Sequence, residues 1–312
     1  MCIRDSPITD KFTNIQNDPH NPLSISANSV VSMYKDHSET IWIGTFYGGV
    51  NLYNKNHFNY TYYKQNGNNT GLNTKIVSDI AEDKNHNLWI GTEGGGLNYL
   101  NRSNHTFTYY TTKSKGTKLT HDNIKCLFLS EDEKLWLGTS GGGVNIIDLK
   151  TKQCTILQNE RDNQNSIASD WIYGIIDDRK GSVWIGTYGH GLDRLNKNTG
   201  EIIHYNKNDG PLSISSNSIR CMLVDSKEQL WIGTSRGLCL YNETTNNFKH
   251  YFAVEYDSTT LLSDDIYCIH EDINGQIWVG SYDGGLNLLN NAGEIFTRYS
   301  VGDGLPGHTV YG

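Results

Sequence analysis

The chain has 312 residues, 36% hydrophobic and 11% aromatic, with 32 glycines, five prolines and a formal net charge of −8. This is the composition of an ordered globular protein, not a disordered or fibrous one, and the acidic balance argues against a nucleic-acid partner, which needs a concentrated basic face. No apolar run approaches the roughly 20 residues that span a bilayer as a helix, and no secretory signal is visible among the first residues.

In chain order, the first six residues, MCIRDS, match nothing later. They resemble a translated adapter scar and are set apart as a leader, with residues 7–312 assigned to the fold. Phe12–Ile15 (FTNI) reads as a last strand without its blade. From Val30 a unit repeats six times. Trp42, Trp89, Trp136, Trp184, Trp231 and Trp278 stand in IWIGT, LWIGT, LWLGT, VWIGT, LWIGT and IWVGS, separated by 47, 47, 48, 47 and 47 residues. Trp171 lies outside the series. Twelve residues before each repeat tryptophan stands Val30, Val77, Ile124, Ile172, Ile219 or Ile266. Nine before stands Met33, Ile80, Leu127, Ile175, Met222 or Ile269. Six before is an aspartate, with Ser130 the exception, and two after is a glycine.

Each unit reads as four short strands, lettered a to d. In the first unit, strand a is Val30–Tyr34, strand b carries WIGT, strand c is Val50–Tyr53 and strand d is Phe58–Tyr63. They are β-branched and aromatic and bounded by Gly, Asn and Asp, and no stretch shows helical periodicity over a dozen residues. Six such units, at about 30–63, 77–110, 124–157, 172–205, 219–252 and 266–299, predict an all-β fold: a β-propeller of six complete four-stranded blades. Partial strands of flanking blades make it an incomplete seven-bladed type. Gly304–Gly312 reads as the approach to another strand a, whose tryptophan falls beyond the chain's end, so a cut piece of a longer chain is expected. A four-stranded sheet cannot bury both faces alone, and the indole supplies the area to glue one blade to the next. The glycine after it is expected to admit a neighbouring backbone, the later glycines to supply positive φ in the b–c turn, and the aspartate to hold its own hairpin turn.

Chemistry-bearing motifs are few. Cys126, Cys221 and Cys268 share a slot ten residues before a tryptophan that elsewhere holds Ser32, Asp79 and Gly174; this reads as small-residue packing, not as a disulfide or a metal site. The runs GTEGGG and GTSGGG lack the helix that a phosphate loop needs. DINGQ and DKNHN lack the terminal glutamate of a calcium loop. His204 and His250 fall in d strands at the periphery. No metal ligand set, cofactor motif or catalytic constellation is assigned. The variation lies in the b–c turns, FYGG, EGGG, SGGG, YGHG, SRG and YDGG. Their glycines are fixed by structure and their leading residues are free. The candidate ligand-binding residues are therefore Phe46, Tyr47, Glu93, Tyr188, His190, Arg236, Tyr282 and Asp283. Aromatic rings that stack on sugars beside carboxylates suit a glycan pocket, and Arg236 is suited to grip a uronate or sulfate. Exposed turn residues without a ligand are the plainer reading.

At WIGT…GG[VL]N[LY] the chain resembles the two-component regulator propeller repeats, from about Phe12 to Gly312. The resemblance implies a periplasmic, non-enzymatic sensor module. It would recognise oligosaccharides and be coupled to downstream sensor domains and a kinase of the same polypeptide, with a homodimer formed through the parent receptor. The alternatives are a propeller lyase or hydrolase acting on polysaccharide, with His190, Glu93 and Asp283 as candidates, or a protein-binding scaffold.

Overall fold

The computed structural model describes residues 2–6, 11–53, 60–66, 68–210, 212–290 and 294–311, with the backbone alone for 2–6, 11 and 13. It is all-β, with six four-stranded antiparallel sheets, each in the sequential order a-b-c-d of a propeller blade. Blade 1 is Val30–Lys35, Ile41–Thr45, Gly49–Tyr53 and Tyr60–Tyr63; Phe58 and Asn59 lie outside the described residues. Blade 2 is Val77–Glu82, Leu88–Thr92, Gly96–Asn101 and Thr106–Tyr110. Blade 3 is Ile124–Leu129, Lys134–Thr139, Val144–Asp148 and Cys154–Leu157. Blade 4 is Ile172–Asp177, Ser182–Thr187, Leu192–Asn196 and Ile202–Tyr205. Blade 5 is Ile219–Val224, Leu230–Thr234, Gly237–Asn242 and Asn247–Tyr251. Blade 6 is Ile266–Glu271, Ile277–Ser281, Leu286–Leu289 and Phe296–Tyr299. A single 3₁₀ turn, Val301–Asp303, follows.

The chain divides into two compact units. One comprises residues 15–158 and 170–172 with blades 1–3; the other comprises 2–14, 159–169 and 173–312 with blades 4–6. In the second unit the segment that matches no repeat forms a strand, Cys2–Ser6, paired antiparallel with Lys11–Asn14. Phe12 meets the ring of Tyr299 edge-on at 5.6 Å and packs in one cluster with Trp278, Leu305 and Val310.

Within each unit the seams between blades repeat one arrangement. The tryptophan of one blade is buried in the core of the next: Trp42 with Val77, Leu88 and Phe107, Trp89 with Ile124 and Leu137, Trp184 with Ile219 and Phe248, Trp231 with Ile266 and Phe296. Each of these indoles donates Nε1–H to the aspartate six residues earlier, at 2.8 Å for Asp36, 3.2 Å for Asp83, 3.1 Å for Asp178 and 2.9 Å for Asp225. The same carboxylate accepts two backbone N–H groups of its own turn, as Asp225 does from Lys227 and Gln229. It therefore holds the hairpin and satisfies the buried indole together, a second role absent from the turn reading. Burial pushes the Asp36 carboxyl up, but Trp42, the turn N–H groups and Arg102 outweigh it and leave it below the usual range.

The glycine after the tryptophan makes room for a side chain rather than a backbone. A Cβ on Gly44 would stand 2.7 Å from Val77 Cγ1, one on Gly91 2.9 Å from Ile124 Cγ2, and one on Gly186 2.6 Å from Ile219 Cγ2. From blade 2 onward the β-branched residue twelve positions before the tryptophan is thus the plug for the preceding blade's glycine. Val310 plugs Gly280 in the same way, at 2.8 Å. Cys126, Cys221 and Cys268 are unpaired thiols with their sulfurs against Gly138, Gly233 and Gly280, as expected for packing. Burial pushes the Cys268 thiol up to about 12. Asp79 in that slot accepts N–H groups from Ile80 and, in blade 3, Leu127, both at 2.8 Å. Burial still pushes its carboxyl up to about 6.

Strand a is not regular. In blades 1, 2, 3, 5 and 6 its register against strand b shifts between the residues twelve and ten before the tryptophan. The skipped residues are Val31, Ser78, Lys125, Arg220 and Tyr267. Such a bulge re-aims one side chain and lets residues three apart serve the same core.

Candidate ligand-binding face

The b–c turns are pinned before any ligand arrives. The hydroxyl residue three after the tryptophan, threonine in blades 1–5 and Ser281 in blade 6, closes the turn by donating to the carbonyl of the glycine at the start of strand c: Thr45 to Gly49 at 2.8 Å, Thr92 to Gly96 at 2.6 Å, Thr187 to Gly191, just before its strand, at 2.7 Å. That glycine's own N–H donates to the d–a loop of the following blade, as Gly96 does to Asp122 at 2.8 Å and Gly191 to Asn217 at 2.9 Å. Gly96 takes φ +68° with a Cβ position blocked by the Tyr110 carbonyl, so no other residue fits. Structure thus fixes the turn glycines and leaves Phe46, Tyr47, Tyr188, His190, Arg236, Tyr282 and Asp283 exposed between threonine or serine and glycine.

In the second unit those residues meet side chains of strand a. The Tyr188 ring stacks on Tyr173 at 5.2 Å. The Arg220 guanidinium lies 5.8 Å from the Tyr188 centroid and 4.9 Å from that of Tyr267, and its Nε–H donates to Asp265 Oδ1 at 3.3 Å. Tyr267 in turn faces Tyr282 at 6.1 Å and Tyr311 at 4.8 Å. Burial pushes the Tyr267 hydroxyl up, with Arg220 pulling the other way. The result is a row of tyrosines broken by one guanidinium, with Tyr188 46% and Tyr282 50% exposed. Such a row offers flat apolar faces and planar N–H donors side by side.

The remaining sequence candidates are placed differently. His190 is exposed, and its Nδ1 lies 3.4 Å from the Tyr188 carbonyl of its own turn. Arg236 is exposed and its backbone N–H donates to Thr234. Asp283 donates its N–H to Thr309 Oγ1 at 3.1 Å. In the first unit Glu93 is paired with Lys125 Nζ at 2.5 Å. Tyr47 packs edge-on against Phe46 at 4.4 Å and is 67% exposed. Trp171 lays its ring 3.8 Å from the Cβ position of Gly141. Tyr47 and Asp283 take φ +75° and +52°, where Gly94, Gly141 and Gly189 stand in other blades. A left-handed non-glycine residue costs about 1–2 kcal/mol, so these two side chains are kept against local preference.

Tyr173, Arg220, Tyr267 and Lys125 escaped the sequence reading because they sit inside strand a. The signal was present: core residues at both twelve and nine before the tryptophan are three apart, which a regular strand would send to opposite faces. The odd spacing marks the bulge.

Five segments, 24–47, 71–94, 166–189, 213–236 and 260–283, match the family model of the two component regulator propeller. Among solved structures, the extracellular domain of a putative hybrid two-component system from B. thetaiotaomicron is similar at TM-score 0.74 and 22% identity, covering 90% of this chain and 36% of that one. PorZ, a surface component of the type-IX secretion system of Porphyromonas gingivalis, is similar at TM-score 0.65 and 18% identity, covering 85% and 39%. Virginiamycin B lyase from Staphylococcus aureus is similar at TM-score 0.52 and 16% identity, covering 74% and 72%. At these identities the likeness is one of fold, and the chain spans about a third of the length of the first. No curated protein matches. No helix among the described residues is long and apolar enough to cross a membrane.

Proposed function

We propose that this chain, five of whose six blades match the two-component regulator propeller repeat, is a non-catalytic recognition module of a two-component sensor. Its ligand is an oligosaccharide that lies on the b–c turn face. The observation that carries the reading is the row Tyr173–Tyr188–Arg220–Tyr267–Tyr282. It is assembled from the two columns where the repeat varies, on turns that the repeat holds rigid. Sugar rings present apolar C–H faces to tyrosine and hydroxyl or carboxylate groups to a guanidinium. Rigid turns limit the ordering cost of binding.

The module works outside the inner membrane and is joined to downstream sensor domains and a kinase of the same polypeptide, in a receptor that can pair as a homodimer. Signalling then requires that the ligand bind two states of the receptor with different affinity. The lyase reading, with His190, Glu93 and Asp283 as its groups, is disfavoured by the engagement of Glu93 with Lys125. Calorimetry and turnover assays against an oligosaccharide panel separate the two. Saturable binding without product, lost in Arg220→Ala and Tyr188→Ala, is the expected result. Product formation establishes an enzyme, and no binding to any glycan leaves the scaffold.

A further inference from the structure

At the a–b turns of blades 1 and 2, three side chains bring ligand-capable atoms within 4.8 Å of one another: His37, Glu82 and His86. Glu82 ends strand a of blade 2, His37 follows Asp36 in the turn of blade 1, and His86 lies in the turn of blade 2. His37 Nδ1 and His86 Nδ1 are 2.6 and 3.3 Å from the same oxygen, Glu82 Oε1. The two imidazoles stack with centroids 3.4 Å apart and planes 21° from parallel.

The same seam in blades 5 and 6 shows what the glutamate does without imidazoles. Glu271 accepts from the Ser226 N–H at 2.7 Å and the Ser226 hydroxyl at 2.5 Å. The turn position matching His86 is Gly275. The latch between blades therefore needs neither histidine. In blades 1 and 2 the backbone half of that latch is kept, with the His37 N–H on Glu82 Oε2 at 3.1 Å. The two rings are an addition to it.

From this convergence we propose that His37, Glu82 and His86 form a site for a divalent transition-metal ion, zinc being the natural occupant of two imidazoles and a carboxylate. Ligand atoms around a tetrahedral zinc, with bonds of about 2.0–2.1 Å, stand about 3.3 Å apart. The His86–Glu82 pair, at 3.3 Å, already has that spacing, and the His37–Glu82 pair, at 2.6 Å, has to open by about 0.7 Å. Both rings lie on exposed turns, their side chains 42% and 53% accessible, which leaves room for the movement and for a water as fourth ligand.

The outer partners suit a metal site. His37 Nε2 is 2.9 Å from Ser38 Oγ, so an Nε2–H can donate there while Nδ1 offers its lone pair. Arg102 Nη1 donates to Glu82 at 3.3 Å and lies 3.0 Å from Asp36 Oδ2, fixing the carboxylate and balancing its charge. Each Nδ1 lone pair lies in its ring plane, so binding one ion requires the two rings to turn out of the stack, a movement that their exposed turns permit. The ion would clip the turns of adjacent blades together and stabilise the seam by mass action.

Titration of chelator-stripped 312-residue protein with zinc chloride by calorimetry tests this. The expected result is one ion per chain. His37→Ala and His86→Asn should each weaken it by at least about tenfold, and Ser38→Ala by about tenfold through the outer partner alone. Asparagine suits the left-handed backbone of residue 86, φ +62°, and both histidines are exposed, so unchanged circular dichroism should accompany the loss. The absence of saturable binding, or an affinity in either histidine variant equal to that of the unsubstituted protein, overturns the proposal.

Discussion

At the seam between blades 4 and 5, Trp184 is buried against Ile219 and Gly186 admits the same isoleucine's side chain. A few residues further along the same hairpin, Tyr188 lies half exposed beside Tyr173 and Arg220. One segment thus carries both an element that every blade repeats and a tyrosine pair that recurs only in blade 6, as Tyr267 and Tyr282. The difference is steric. At the seam a glycine, a β-branched plug and an indole must fill one volume, so a change in any one is felt by the others. On the turn face the threonine and glycines are tied by hydrogen bonds in the same way from blade to blade, whereas the side chains between them meet a different neighbour in each, as Glu93 meets Lys125 and Tyr188 meets Tyr173.

That contrast can be broken most severely at the indole. Trp184→Ala removes a buried ring and takes the indole donor from Asp178 Oδ2. We expect a loss of about 3–5 kcal/mol in chemical denaturation. Gly186→Val should cost about 3 kcal/mol, because its Cβ alone would stand 2.6 Å from Ile219; a neutral result would show that the seam can relax.

Asp79 is the charged exception within the seam. Its carboxyl is raised from 3.8 to about 6, so the folded chain binds more protons than the unfolded one between those values. Stability should therefore fall as pH rises from about 4 to about 6, on the order of 2 kcal/mol for this group, and level off above. Asp79→Asn should flatten that window in pH-dependent melting. His204 runs the same way at higher pH. Its hydrogen bond to Asp193, at 2.6 Å, outweighs burial and raises it, so its contribution is present at low pH and is lost as pH rises through the raised value.

On the turn face the signs should reverse. Tyr47→Gly relieves a left-handed tyrosine and should raise stability by about 1 kcal/mol, while weakening any ligand held there. Arg220→Ala should change the melting temperature least, within about 0.5 kcal/mol, and abolish glycan binding. A large loss of stability in that variant would assign Arg220 to the seam rather than to the site.

The 47-residue period, the tryptophan, the glycine two residues on and the turn aspartate were legible in the chain because each blade solves the same packing problem with the same residues. Six four-stranded blades followed from them, as did the exposure of Tyr188, Tyr282 and Tyr47. Tertiary structure alone decided that the glycine faces a side chain of the next blade, that Arg220 rather than Arg236 stands between the tyrosines, and that His37 and His86 share Glu82. Those relations join residues some 30 to 50 positions apart in different blades. A periodic sequence announces that blades stack, but the identity of two side chains facing each other across a seam depends on bulges and turn conformations that re-aim single residues, and these are set when the sheets pack.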